Sequence, residues 1–260
     1  MASTRPVESR ALSGRMSVSQ RITGTTARLW TQIRDPKRQL QVALLVLFAA
    51  AIAAFGHIVE DYLTGDPIVR WDVELSRWIH THSSDELVAV AQVVTWAGNI
   101  ATLAVLTAIA AALLVRRGRV NDAAFVCAVA VGIELLNGVL KLVFHRPRPQ
   151  LAFVHLDTYS FPSGHAAGSS AIYAVLLYLA VRHSSWGARA AVAAAYVVVV
   201  VLVGLTRLYL EVHYLSDVLS GLCLGVAWAA ASLFVYETRL PDVHRRLPAH
   251  TQRLLARAAR

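Results

Sequence analysis

Hydrophobic residues along this chain gather into six long runs separated by short polar stretches. A membrane-crossing helix needs about 20 consecutive, predominantly apolar residues. Runs of that kind occupy 40–58, 87–115, 123–144, 163–181, 188–205 and 218–236. The second is longer than one crossing requires. No alternating strand pattern competes with them, so the expected fold class is all-α: an integral-membrane six-helix bundle. Three polar clusters interrupt the pattern at the edges of these runs. They read KLVFHRPRP from Lys141, FPSGH from Phe161 and TRLYLEVHYLSD from Thr206.

Composition agrees with the pattern. The chain has 260 residues, 56% of them hydrophobic, and a mean hydropathy of +0.51; soluble domains are usually about 45–50% apolar. The net charge of +9 raises nucleic acid as a partner. The cations, however, sit mostly in the two tails, which fits anchoring beside anionic lipid, and no nucleic-acid partner is expected. The N-terminal stretch is long, basic and polar and lacks the pattern of a cleavable signal peptide. Cys127 and Cys223 lie within apolar runs and are expected to be small buried hydrophobes.

Charge also predicts orientation. Residues 1–38 carry Arg5, Arg10, Arg15, Arg21, Arg28, Arg34, Lys37 and Arg38 against Glu8 and Asp35. Arg116, Arg117 and Arg119 follow the second run, Arg182 and Arg189 flank the connection after the fourth, and six arginines follow the sixth. Six crossings put all four regions on one side, which the positive-inside rule makes cytoplasmic. Both termini are then cytoplasmic, and all three polar clusters reach the external face of an inner, or plasma, membrane. The expected organisation is a basic segment at 1–38, a six-span domain at 39–237 and a basic tail at 238–260, part of which suits a short helix. In the first external loop, Ile68, Trp71, Leu75, Trp78 and Ile79 recur at helical spacing. That suits a short helix, either lying among headgroups with both tryptophans at the interface or packed as a lid on other loops.

The clusters hold the candidate chemistry. Lys141, Arg146 and Arg148, with the backbone restrained by Pro147 and Pro149, make an arginine fork suited to phosphate oxygens; snorkelling at a span end is the structural alternative. Ser163 and Gly164 sit where a loop enters a helix whose free N–H groups can hold an anion. His165, in the first turn, can donate a proton to a leaving oxygen. Asp217 lies four residues after His213, so one helical turn can pair them. The carboxylate fixes the imidazole tautomer and leaves the other ring nitrogen free to attack. Arg207 can meet the phosphate from the far side. Glu134 and Asn137, within the third span, are supporting candidates. No His/Asp/Glu cluster suggests a metal, no nucleotide-binding glycine loop is present, and no cofactor is expected.

With these residues in hand, the chain resembles the type 2 phosphatidic acid phosphatase superfamily. Its first signature, a lysine, six residues and Arg-Pro, is matched by Lys141 and Arg148-Pro149. Pro162-Ser163-Gly164-His165 matches the second without change. In the third, Arg207, His213 and Asp217 keep the spacing, but Thr206 stands where the family usually has serine. The resemblance implies the helical core shared with vanadium-dependent haloperoxidases, a soluble branch that six spans disfavour. It implies metal-independent hydrolysis of a phosphorylated membrane lipid. His213 would be the nucleophile, forming a phosphohistidine, with Asp217 orienting it and His165 as acid and then base. Lys141, Arg148, Ser163, the Gly164 amide and Arg207 would bind phosphate, with Glu134, Asn137, Arg146 and Thr206 supporting. Expected substrates are phosphatidic acid, phosphatidylglycerol phosphate or a polyprenyl diphosphate of cell-envelope synthesis. The competing class is a non-enzymatic phospholipid transporter or structural membrane protein. The sequence does not specify the oligomeric state.

Overall fold

A computed structural model of the chain describes residues 35–65, 67–150, 152–154 and 156–246, with side chains through Arg239. The chain divides into two compact units, Met1–Val42 and Ala43–Arg260, and the first contributes only residues 35–42 to the described set. The polar N-terminal stretch before residue 35 and the tail beyond Arg246 lie outside the described residues.

Every regular element described is helical. The order is α1 (Pro36–Thr64), α2 (Pro67–His82), α3 (Asp85–Val94), a 3₁₀ turn (Thr95–Gly98), α4 (Ile100–Arg116), α5 (Val120–Phe144), α6 (Gly164–Val181), α7 (Trp186–Tyr209) and α8 (Leu215–Arg246). Six stretches are long and apolar enough to cross a bilayer: α1, the α3–α4 stretch, α5, α6, α7 and α8 as far as Arg239. These coincide with the six hydrophobic runs. α8 runs past the expected end of the sixth span and continues through Leu240 to Arg246, into the basic tail expected to suit a short helix.

The long second run is not one straight helix. The 3₁₀ turn interrupts it, and α4 then restarts with Asn99 extended (φ −69, ψ 139) and its side chain accepting from the Ala101 N–H at 2.8 Å. An Asn at an N-cap satisfies a donor the new helix cannot pair internally. Gly98 is required by packing, because a Cβ there would fall 2.4 Å from Val203 Cγ1. The break places Thr95 against α7, where its hydroxyl accepts from Arg207.

α6 and α8 form the buried pair. Half of each span window is buried, against 17–28% in the other four. Small residues permit their close approach. Ala166, Ala167, Gly168, Ser169, Ser170 and Ala171 are all buried on α6. Facing them, Gly221 and Gly225 on α8 sit so near that a Cβ would lie 2.5 Å from the Ser163 carbonyl and 2.4 Å from the Ala167 carbonyl. This is the small-xxx-small packing by which membrane helices approach closely. α1, in contrast, buries only Leu44, Ala51 and Ile58, one residue every seven. Large apolar side chains such as Val105, Ile109, Val131, Leu135 and Val139 are exposed on α4 and α5, as lipid-facing surfaces are. Cys127 shares that exposure and Cys223 is intermediate, so the expectation of two buried cysteines fails. α5 has a wide lipid-facing surface, and Cys127 lies on it.

At the end of the bundle opposite the polar clusters, Tyr236 donates to Asp122 at 2.5 Å, and Arg182 joins both. This ties α5, the end of α6 and α8 together. At the other end lies α2. It exposes Trp71 and Trp78, each 59% accessible, while burying Asp72 and Ile79. Ile79 packs with Ala166, Leu208 and Val218. The helix turns its tryptophans outward and packs its other face over the ends of α6, α7 and α8.

Candidate active site

The three polar clusters converge at this end of the bundle. α5 stops at His145, which adopts the left-handed conformation (φ 47) and returns its N–H to the Lys141 carbonyl at 3.1 Å. The chain then enters the Arg-Pro-Arg-Pro loop. Lys141 Nζ reaches the Tyr159 and Ser160 carbonyls. Arg148 donates through Nε to the Thr158 carbonyl at 2.7 Å and through Nη2 to the Thr158 hydroxyl at 2.8 Å. Its Nη1 contacts the Val212 carbonyl and lies 3.3 Å from His213 Nε2. Burial pushes the Arg148 pKa down, the mark of a charge held partly out of water.

Arg146 and Arg148 do not form one fork, contrary to expectation. Residues two apart on an ideal extended strand share a face, yet Arg146 and Arg148 take separate sets of partners. Arg146 turns inward and is 4% exposed. Its Nη1 donates to Asp217 Oδ1 and Ser216 Oγ, both at 2.6 Å, and its Nη2 donates to Asp72 Oδ2 at 2.7 Å. The Tyr62 and Tyr214 rings lie on the guanidinium at 4.7 and 4.4 Å. Burial disfavours its charge, but Asp217 and Asp72 overcome that and raise its pKa.

Ser163 caps α6 and is fully buried. Its N–H donates to the Asp217 carbonyl at 2.9 Å, which pins the start of α6 to α8. Among the described residues its Oγ has no hydrogen-bond partner. Asn137 supports this turn: its amide donates to the Pro162 carbonyl at 3.4 Å, and its Oδ1 lies 3.1 Å from where a Cβ on Gly164 would sit. His165, one residue on, lies within electrostatic reach of Arg207, His213, Arg148 and Lys141. Glu134 lies a turn deeper, beside Gly168 and lining a cavity of about 560 Å³ between α4, α5 and α6. It belongs to the surroundings of the cluster and not to the cluster itself.

Arg207 ends α7. Its Nη1 donates to Thr95 Oγ1 at 2.7 Å, and among the described residues its buried Nε has no hydrogen-bond partner. Thr206 is not brought to the site. Its hydroxyl donates to the Val203 carbonyl of its own helix at 2.7 Å, so threonine in place of serine costs the cluster nothing. His213 is buried, with Nδ1 3.4 Å from Asp217 Oδ2. That contact is at the long limit of a hydrogen bond, and Nδ1 has no aligned partner. Asp217 itself is fully buried. Its Oδ1 accepts from Arg146, and its Oδ2 accepts from the Tyr214 N–H at 2.9 Å. Burial, opposed by Asp217, lowers the His213 pKa to about 3, which keeps the imidazole neutral and its lone pair available.

Lys141, Arg148 and Arg207 thus gather around His165 and His213, and among the described residues none of them is ion-paired to a carboxylate. Three cations, an unpartnered buried hydroxyl and the N-terminus of a helix are the components of an anion site. A neutral histidine beside a carboxylate is the kind of pair that can serve as a nucleophile. Among the described residues, no three His, Cys, Asp or Glu side chains are grouped to hold a metal ion.

Two buried carboxylates that tie α2 to the rest of the chain escape sequence reasoning. Asp72 sits among apolar positions of α2, and its burial becomes explicable only with Arg146, 74 residues away. Glu211 has positive φ (54) and is 1% exposed; it accepts from Ser76 at 3.2 Å and contacts His80 Nδ1 at 2.8 Å. The period of Asp72, Ser76 and Ile79 on α2 was a usable signal for a second, inward face.

Residues 101–241 match the PAP2 superfamily. Phosphatidylglycerophosphatase B of Bacillus subtilis (strain 168) is 41% identical over 96 residues, 36% of this chain and 47% of that protein. An uncharacterized 22.5 kDa protein in the cps region of Klebsiella pneumoniae is 42% identical over 93 residues, 35% of this chain and 43% of its own length. The match spans less than half of either relative. The crystal structure of a transmembrane PAP2 type phosphatidylglycerolphosphate phosphatase from Bacillus subtilis superposes with a TM-score of 0.63 at 29% identity, covering 76% of this chain and 96% of that one.

Proposed function

We propose, from the premise that this chain belongs to the PAP2 superfamily, that it hydrolyses a phosphate monoester or diphosphate of a membrane lipid at the external face of the bilayer. The observation that carries the reading is the meeting of the His213–Asp217 pair with three cations that have no carboxylate partner. A phosphoryl group carries its charge on equatorial oxygens while its apical bonds exchange, so fixed cations and in-line placement supply most of the catalysis. Lys141, Arg148 and Arg207 meet those oxygens, joined by Ser163 Oγ and the first-turn N–H groups of α6. With this charge complement the reaction proceeds without a metal ion.

In the first step, His213 Nε2 attacks phosphorus. An N–P bond forms as the P–O bond to the lipid breaks, and His165 delivers a proton to the departing oxygen. Asp217 stabilises the cation developing on the imidazole; charge there tightens the 3.4 Å contact at Nδ1. In the second step, His165 removes a proton from water. The water oxygen bonds to phosphorus, the N–P bond breaks, and inorganic phosphate leaves. Asn137 and Glu134 stand behind the phosphate-binding turn, and Arg146 stands behind Asp217.

The positive-inside layout supports a bacterial inner-membrane enzyme with both termini cytoplasmic and the site outside. The likeness to phosphatidylglycerophosphatases makes phosphatidylglycerol phosphate the first substrate to test, with phosphatidic acid and a polyprenyl diphosphate beside it. Purified protein in detergent is expected to release phosphate from at least one of these with EDTA present. Folded protein inactive on all three until a divalent metal is added would overturn the reading.

A further inference from the structure

We infer that Asp72, on the external helix α2, is a positioning residue for the His213–Asp217 pair, acting through Arg146; this rests on the phosphatase reading above. Asp72 is 1% exposed and accepts three contacts. Its Oδ1 takes the Ser216 N–H at 2.8 Å, and its Oδ2 takes Arg146 Nη2 at 2.7 Å and the Ser216 hydroxyl at 2.5 Å. The guanidinium is therefore shared between two buried carboxylates, Nη2 to Asp72 and Nη1 to Asp217 Oδ1. The two tyrosine rings hold its plane.

The consequence lies in which oxygen of Asp217 is left over. An arginine facing one carboxylate alone favours a bidentate pair that engages both oxygens. Asp72 occupies Nη2, so Arg146 takes only Oδ1. Oδ2 stays turned toward His213 Nδ1 and the Tyr214 N–H. Without the Asp72 charge, Nη2 is free to compete for Oδ2. The carboxylate would then rotate or give up negative charge to the arginine, and His213 would lose its orienting partner. Asp72 acts through three successive contacts, to Arg146, from Arg146 to Asp217 and from Asp217 to His213, and does not touch the phosphate cradle of Lys141, Arg148, Ser163 and Arg207. Its loss should slow the chemical step and leave substrate binding intact.

Asp72 also helps to dock α2, and docking alone is the competing explanation. A second anchor separates the two. Glu211 holds α2 through Ser76 and His80 and makes no contact with Arg146. The experiment compares Asp72→Asn, Arg146→Lys, Glu211→Gln, Asp217→Asn and the Asp72→Asn/Asp217→Asn double variant, each purified in detergent and checked by thermal melting. The readouts are kcat and KM on whichever panel lipid the wild type hydrolyses. Misplacing a reacting group by about 1 Å costs about 10²-fold in rate, so Asp72→Asn is expected to lower kcat on that order with KM unchanged. Arg146→Lys should do the same, because one ammonium cannot bridge both carboxylates in this geometry. Glu211→Gln should leave kcat near wild type. The double variant should be no slower than Asp217→Asn alone, since the residues act in one chain. An undiminished kcat in Asp72→Asn, an equal loss in Glu211→Gln, or multiplying losses in the double variant would overturn the inference. If Asp72→Asn does not fold, Arg146→Lys decides in its place: a normal kcat there overturns it. Wild-type inactivity on the whole lipid panel would instead defeat the phosphatase reading, a result distinct from all of these.

Discussion

Replacing Gly221 with alanine would put a Cβ 2.5 Å from the Ser163 carbonyl oxygen and 3.0 Å from the Ala166 Cβ. Ordinary contacts of that kind begin at 3.4 Å, so α8 and the start of α6 must separate by about 0.9 Å. Neither contact is the far end of a flexible side chain, which leaves backbone movement as the way out. The displaced turn carries Ser163 and His165, while the helix that pushes it carries Asp217 and begins at Leu215, just after His213 and Tyr214. One methyl group therefore drives the two halves of the site apart. Overpacking of this kind costs about 1–3 kcal/mol of stability, and a misplacement near 1 Å costs about 10²-fold in rate. Activity should thus fall much further than folded yield. The assay is phosphate release per folded molecule, with thermal melting beside it. Gly56→Ala is the control, because a Cβ there meets nothing within 4 Å, and it should be neutral in both measurements. A Gly221→Ala protein that melts normally and turns over at the wild-type rate would refute the idea that this close helix approach sets the site geometry.

Further outcomes are expected. Burial holds the His213 pKa at about 3, against about 6.5 in an unfolded chain. The unfolded state therefore binds the extra proton first; stability tied to His213 is complete above about pH 6.5 and declines as pH falls toward 3. Melting temperatures measured from pH 7 to 4 should fall, and His213→Gln should flatten that slope; parallel slopes would contradict it. In a background lacking Cys127 and Cys223, a cysteine at Leu156 should react with an impermeant maleimide in intact spheroplasts, and one at Arg117 only after lysis. The reverse pattern would put the site in the cytoplasm. His213→Ala should still bind the lipid through Lys141, Arg148 and Arg207 while releasing no phosphate. Retained lipid movement in vesicles by this variant, with a wild type that releases no phosphate, would favour a transporter.

What the sequence made legible follows from the range of the interactions involved. The six crossings are local properties of apolar runs, and each appears where its run does. The three motifs could be assembled because parity of the crossings puts them at one end. The 3₁₀ break at Thr95–Gly98 was hidden because apolar composition continues through it; only Gly98-Asn99, a packing glycine followed by a cap, marks it. Arg146 was grouped with Arg148 by spacing, yet it turns inward to Asp72 and Asp217, partners 74 and 71 residues away that spacing does not reveal. Asp72 and Glu211 were opaque because their partners lie 74 and 131 residues away. Thr206 was named as a supporter from its place in a motif, and its hydroxyl serves its own helix.

The most direct test of the account is the identity of the phosphorylated residue. With a phosphorus-labelled lipid that the wild type hydrolyses, rapid quenching in the presence of EDTA should trap an acid-labile phosphohistidine at His213. His213→Ala should trap no label, and Asp217→Asn should accumulate it more slowly. Label on Ser163, or turnover by His213→Ala at the wild-type rate, would contradict the assignment.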